Sequence, residues 1–104
     1  MLREPLRNEI RSRLEAAFHD RLRSVLLFGS EARGDAGEGS DVDLLVLLEG
    51  PVRLGQDLEA IVEALYPVQM ELDSPIHALP VPAETFEAGE YSLYREVKRE
   101  GVAL

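Results

Sequence analysis

A chain of 104 residues, 45% of them hydrophobic, is the size of one globular domain, expected over 1–104, with little room for a second, substrate-gripping lobe. It contains no cysteine, which excludes disulfide staples, zinc–thiolate centres and thiol chemistry. The formal charge of −9, from 20 acidic against 11 basic residues, repels phosphate backbones and argues against direct nucleic acid binding. Neither the charged N-terminal segment nor the longest apolar run, Leu44 to Leu48, reads as a leader or membrane anchor, so a cytoplasmic protein is expected.

From about Arg3 to Arg23 the apolar residues Leu6, Ile10, Leu14, Ala17, Phe18 and Leu22 recur at three- and four-residue spacing. This pattern predicts one amphipathic helix with Pro5 in its first turn and its arginines on a solvated face. Ser24 to Phe28 is a short apolar run cut off at Gly29, which suits a buried strand. Glu31 to Gly39 is small, charged and glycine-rich, so a loop is expected, opening with a helical turn after Ser30. Asp41 to Leu48 reads as a second strand, stopped by Glu49-Gly50-Pro51.

Leu58, Ile61, Val62 and Leu65 mark a second helix, expected to end at Pro67. Val68 to Val81 is read as a third strand, bent at Pro75 and closed by Pro80 and Pro82. Ala83 to Gly89 is read as a turn-rich connection. Tyr91 to Glu100 predicts a last helix with Leu93, Tyr94 and Val97 inward and Gly101 as its cap. The expected order is α-β-α-β-α, an α/β chain.

The second strand carries the unusual chemistry. Side chains alternate across a strand, so Asp41 and Asp43 share a face and bring two carboxylates within reach of one ion. Such a pair is costly unless a cation or proton relieves the repulsion, and magnesium takes oxygen ligands while leaving sites for phosphates. Glycine at position 29 lets backbone amides approach a phosphate, Ser30 can donate to its oxygen, and Arg33 adds charge. A P-loop is excluded, because Asp35 stands after Gly34 where Lys-Ser/Thr is needed. Each feature alone has an ordinary reading as a strand end or turn. His77, His19, Tyr91 and Tyr94 read as packed or surface residues, and Arg95, Lys98 and Arg99 as cations matched to a helix C-terminus.

The combination Leu27-Phe28-Gly29-Ser30-Glu31-Ala32-Arg33-Gly34-Asp35 and Ser40-Asp41-Val42-Asp43-Leu44-Leu45-Val46 resembles the signature of the DNA polymerase beta-like nucleotidyltransferase superfamily. It is most similar to the minimal nucleotidyltransferases, firmly over Leu22 to Asp73 and more loosely in the C-terminal helix. The resemblance implies a small mixed β-sheet with helices packed on it. It also implies a phosphate grip at Gly29, Ser30, Arg33 and Ser40 for a nucleoside triphosphate, with ATP as nucleotide substrate. Asp41 and Asp43 would hold Mg2+. A third carboxylate on the next strand, best matched by Asp73 with Glu71 as substitute, would complete the catalytic and metal-binding set.

The implied activity is transfer of AMP from ATP to a hydroxyl of a partner protein, as the antitoxin half of a pair with a small helical HEPN-domain protein. The opposing reading is a non-catalytic module of the same fold that neutralises its partner by contact, which Pro75 beside Asp73 favours. Aminoglycoside nucleotidyltransferases share the motif but carry a further helical domain, so a chain of this size would need a homo-oligomer to build such a site.

Overall fold

In a computed structural model that describes residues 2–29, 32 and 40–104, the apolar run Val42–Leu48 is the second strand from one edge of a four-stranded sheet. A strand covered on both faces has no use for alternation, and Leu44, Leu45, Val46, Leu47 and Leu48 are all buried. The elements, in chain order, are α1 (Glu4–Phe18), a 3-10 turn (His19–Arg21), β1 (Leu22–Phe28), β2 (Val42–Leu48), α2 (Leu54–Glu71), β3 (Ile76–Pro82), α3 (Ala83–Ala88), α4 (Ser92–Glu100) and β4 (Val102–Ala103). The strands are ordered β3-β2-β1-β4. β1 runs antiparallel to β2 and β4, and β3 runs parallel to β2, so the sheet is mixed.

Each face of the sheet has its own core. Val25, Leu27, Val42, Leu44, Val46 and Leu48 pack against Ile10, Leu14 and Phe18 of α1 and Ile61, Leu65 and Val68 of α2. On the other face Leu45, Leu47 and Val81 meet Phe86 of α3 and Tyr94 and Val97 of α4. Burial of this kind contributes roughly 25 cal/mol per Å² of apolar surface and is the dominant favourable term in folding. α2 is also the crossover that the parallel β2–β3 pairing requires.

Several boundaries depart from the sequence reading. The first helix stops at Phe18 instead of reaching Arg23, because His19 adopts φ 51°, a left-handed backbone that breaks the helical ladder. Leu22 thereby joins β1. Pro67 does not end the second helix: α2 continues to Glu71 because Val68 extends the buried Ile61–Leu65 stripe one turn further. Burial on that face outweighs the ~3 kcal/mol that an interior proline costs a helix. The expected strand Val68–Val81 therefore begins only at Ile76, and Glu71 is the last helical residue.

Pro80 and Pro82 lie inside β3, opposite Val46 and Leu48, and are tolerated because β3 is an edge strand whose outer side needs no donor. The expected connection Ala83–Gly89 is instead the short helix α3, ended by Gly89 at φ 65°. Leu93, expected inward, is exposed, while Tyr94 and Val97 face the core. Gly101 follows α4 with its N–H on the Val97 carbonyl at 2.7 Å, but with φ −71° it leads into β4 and makes no left-handed cap.

Candidate active site

The topology brings three strand ends together. β1 finishes at Phe28, and β2 and β3 begin at Val42 and Ile76, on the same edge of the sheet. Register then sets the neighbours: Phe28 lies opposite Asp43, and Asp43 lies opposite His77. Asp43 shares the sheet face of Leu45 and Leu47, the face that α3 and α4 cover further along. Asp43 is partly accessible and Asp41 is exposed.

Gly29 follows β1 directly, with φ 77°. A Cβ at this position would stand 2.7 Å from Asp43 Oδ2, closer than real side chains approach. Glycine suits this position by its left-handed backbone, and a side chain here would push the Asp43 carboxylate aside. The Gly29 and Asp43 halves of the motif are thus one contact.

Electrostatics mark Asp43 as the strained member. Burial raises its carboxyl above the usual aspartate range, the neighbouring Asp41 adds to this, and His77 partly offsets it. His77 Nε2 stands 3.1 Å from Asp41 Oδ2. A desolvated carboxylate beside a second one is relieved by a cation, and hard oxygen donors suit Mg2+, so Asp41 and Asp43 fit the ion that the sequence motif implies. Among the described residues no group of three or more His, Cys, Asp or Glu side chains is arranged to hold a metal.

Asp73 does not stand in the sheet. It is exposed in the bend between α2 and β3, four residues before His77, so the expected alignment of Glu71 and Asp73 on one strand face is corrected. Gln69 organises that bend: its side-chain amide donates to the Ser74 carbonyl at 2.9 Å and accepts the Ile76 N–H at 2.7 Å. The Pro75 carbonyl in turn accepts the Val42 N–H at 2.9 Å, which fixes β3 against β2. The position beside Asp43 belongs to His77, which residue-type reasoning passed over. Only the β2–β3 register, fixed after Pro75, could have found it. Ser40 precedes Asp41 at the mouth of the site and is half-buried. Ser30 and Arg33, the other expected phosphate contacts, lie outside the described residues.

A groove of about 470 Å³ leads away from Asp43 and His77. It passes Phe28, Leu79 and Leu93 and reaches the Val62 and Tyr66 side of α2. Its walls are largely apolar, with Asp43, His77 and Gln69 as the polar side chains among them.

A mixed sheet with an acidic pair at converging strand ends, pressed against a left-handed glycine, defines a nucleotide-handling transferase domain. The profile of the nucleotidyltransferase domain family matches residues 7–102, and the chain belongs to that family. It is a nucleotidyltransferase. The MJ0604 protein of Methanocaldococcus jannaschii, named as a candidate protein adenylyltransferase, is 30% identical over 92 residues, covering 88% of this chain and 86% of its own. The fold is similar to a candidate nucleotidyltransferase from Sulfolobus solfataricus, with a TM-score of 0.66 at 21% identity, over 95% of this chain and 76% of that one. It is also similar to a chain of a toxin–antitoxin crystallised with AMP-PNP, with a TM-score of 0.67 at 23% identity, over 93% of this chain and 70% of that one.

Proposed function

We propose that the chain transfers AMP from ATP, with Mg2+, to a hydroxyl of a partner protein, and that it is the antitoxin half of a pair with a small helical HEPN-domain protein. The observation that carries this reading is the contact between Gly29 and Asp43, which sets a phosphate-approach glycine against a metal-suited carboxylate. The name of the MJ0604 relative supports a protein as acceptor, and the toxin–antitoxin neighbour holding AMP-PNP supports both the nucleotide and the pairing.

In this reading Asp41 and Asp43 would hold a magnesium ion, which would supply charge neutralisation to the phosphates. Gly29, with Ser30, Arg33 and Ser40, grips the triphosphate through backbone amides, hydroxyls and a guanidinium. The acceptor oxygen forms its bond to the α-phosphorus as the bond to pyrophosphate breaks, and the hydroxyl proton passes to His77 beside Asp43. Asp73 stands in the bend, outside the sheet, and Asp41 and Asp43 are the carboxylates this reading uses.

One observation favours the second reading, a module that neutralises its partner by contact alone: among the described residues no third acidic side chain joins Asp41 and Asp43. Incubation with Mg-ATP and the helical partner, followed by intact-mass spectrometry of the partner, separates the two. A gain of one or more AMP units that disappears in Asp43→Ala is the expected result. A tight complex with no mass change, indifferent to that substitution, would overturn the enzymatic reading.

A further inference from the structure

The apolar groove beside the carboxylates has an outer half that the chemistry of the nucleotide leaves unused. Val62 and Tyr66 on α2 are 58% and 61% exposed, and Leu79 on β3 and Leu93 on α4 are 41% and 37% exposed. All four line the groove whose inner end is formed by Asp43 and His77. Large apolar side chains gathered on one concave face, and opening onto a reactive centre, mark a site that something else covers.

The direction of the groove says what enters it. In phosphoryl transfer the attacking and leaving oxygens lie roughly in line. Gly29 closes the site on the β1 side of β2, where the triphosphate and its departing pyrophosphate would be gripped. The acceptor must then come from the opposite side of β2, which is the side of β3. The groove's Ile76 and Leu79 on β3 and its Val62 and Tyr66 on α2 lie on that side, while Phe28 and Leu93 line it towards β1.

Charge narrows the occupant. Glu59 is exposed on α2 three residues before Val62, so it borders the apolar row. Exposed Glu90 and Glu96 flank Leu93 in the same way on and before α4. The nearby cations are turned elsewhere: Arg95 donates to the Gly89 carbonyl at 2.7 Å and Lys98 to the Glu87 carbonyl at 2.5 Å. A second copy of this chain, itself at −9, would set one acidic rim against another.

We propose that the α2–β3 groove is the docking surface for the acceptor protein, which presents an apolar segment with a basic rim and carries the modified hydroxyl to the Asp43 end. This rests on the adenylyl-transfer reading above. The groove then receives the acceptor and selects it by apolar fit and positive charge.

The test uses the full chain, ATP radiolabelled at the α-phosphate, and a lysate of the source cells as the pool of acceptors. Wild-type protein is expected to label a protein band that Asp43→Ala does not label. Val62→Glu and Tyr66→Glu, both exposed on a helix and each checked for an unchanged melting curve, should lower that labelling at least tenfold. They should leave ATP binding by equilibrium dialysis unchanged. Glu84→Ala, on α3 away from the groove, should label normally.

Wild-type labelling rates in the two groove variants would overturn the docking site while leaving adenylyl transfer intact. Loss of ATP binding in them would place the nucleoside in the groove, and conversion of a dimer to a monomer in sedimentation would place a second copy there. Either outcome rejects an acceptor surface. Absence of any Asp43-dependent label with wild-type protein would reject the transfer reading, and the docking site with it.

Discussion

Replacing Gly29 by alanine tests the contact on which the site is built. The substitution has two separable costs. An L-residue in the left-handed region loses about 1–2 kcal/mol, and position 29 has φ 77°. The added Cβ would also stand 2.7 Å from Asp43 Oδ2, about 0.7 Å inside the 3.4 Å at which ordinary contact begins. The carboxylate must move by about that distance, and a misplacement near 1 Å at a reacting centre can cost roughly 100-fold in rate.

Gly50 provides the control, because it has the same φ of 77° with nothing within 4 Å of its would-be Cβ. Gly29→Ala and Gly50→Ala should therefore lose similar stability in urea titrations, within about 1 kcal/mol of each other and each near the left-handed penalty. Only Gly29→Ala should weaken Mn2+ binding, read by the loss of free-ion electron paramagnetic resonance signal, and lower adenylyl transfer by about 10- to 100-fold. Wild-type Mn2+ affinity and turnover in Gly29→Ala would refute the coupling of the glycine to the carboxylate.

Other expectations follow from the same geometry. Asp57 is buried at the start of α2, where Arg21 reaches it with two nitrogens at 2.9 and 3.0 Å and the Arg53 N–H donates to it at 3.0 Å. Arg21 is itself 41% exposed, so Asp57→Asn should cost about 1–3 kcal/mol in urea unfolding, less than a fully buried pair. The Arg21 hydrogen bond holds the Asp57 carboxyl below the usual aspartate range, against the opposing effect of burial. Its stabilisation is complete above the unfolded value of about 3.9 and is lost as pH falls through the folded value, so Asp57→Asn should flatten the acid limb of a stability–pH curve. His77→Asp would set a third carboxylate opposite Asp43 and should tighten Mn2+ binding by on the order of tenfold, while an unchanged or weaker affinity would show that this register position does not reach the ion. Leu44→Ala empties a fully buried position in the α1–α2 core and should cost about 2–5 kcal/mol, measured by denaturant titration.

Three departures from the sequence reading share one cause. Pro67 and Pro75 are strong local signals, and both were read as acting within the element around them. Pro67 instead sits in a helix that continues because Val68 buries against the sheet, and Pro75 stands just outside a strand whose first backbone bond is made by its own carbonyl. Leu93 was placed inward by helical spacing, yet the face of α4 that meets the sheet is chosen by Tyr94 and Val97. Local propensity is overridden wherever more apolar area can be buried.

What the sequence determined alone is the part of the site that is local along the chain. A glycine ending one apolar run and an Asp-Val-Asp opening the next specify a turn open to a left-handed backbone and a same-face acidic pair, because strand alternation is a property of the chain itself. Tertiary structure decided everything that depends on register between strands. It pressed Gly29 against Asp43, placed His77 rather than Asp73 beside that carboxylate, and opened the groove between α2 and β3. A shift of one residue in pairing reverses which side chains face a site, and that register is set by packing and by the Gln69-clamped bend, contacts that lie between elements rather than within any of them.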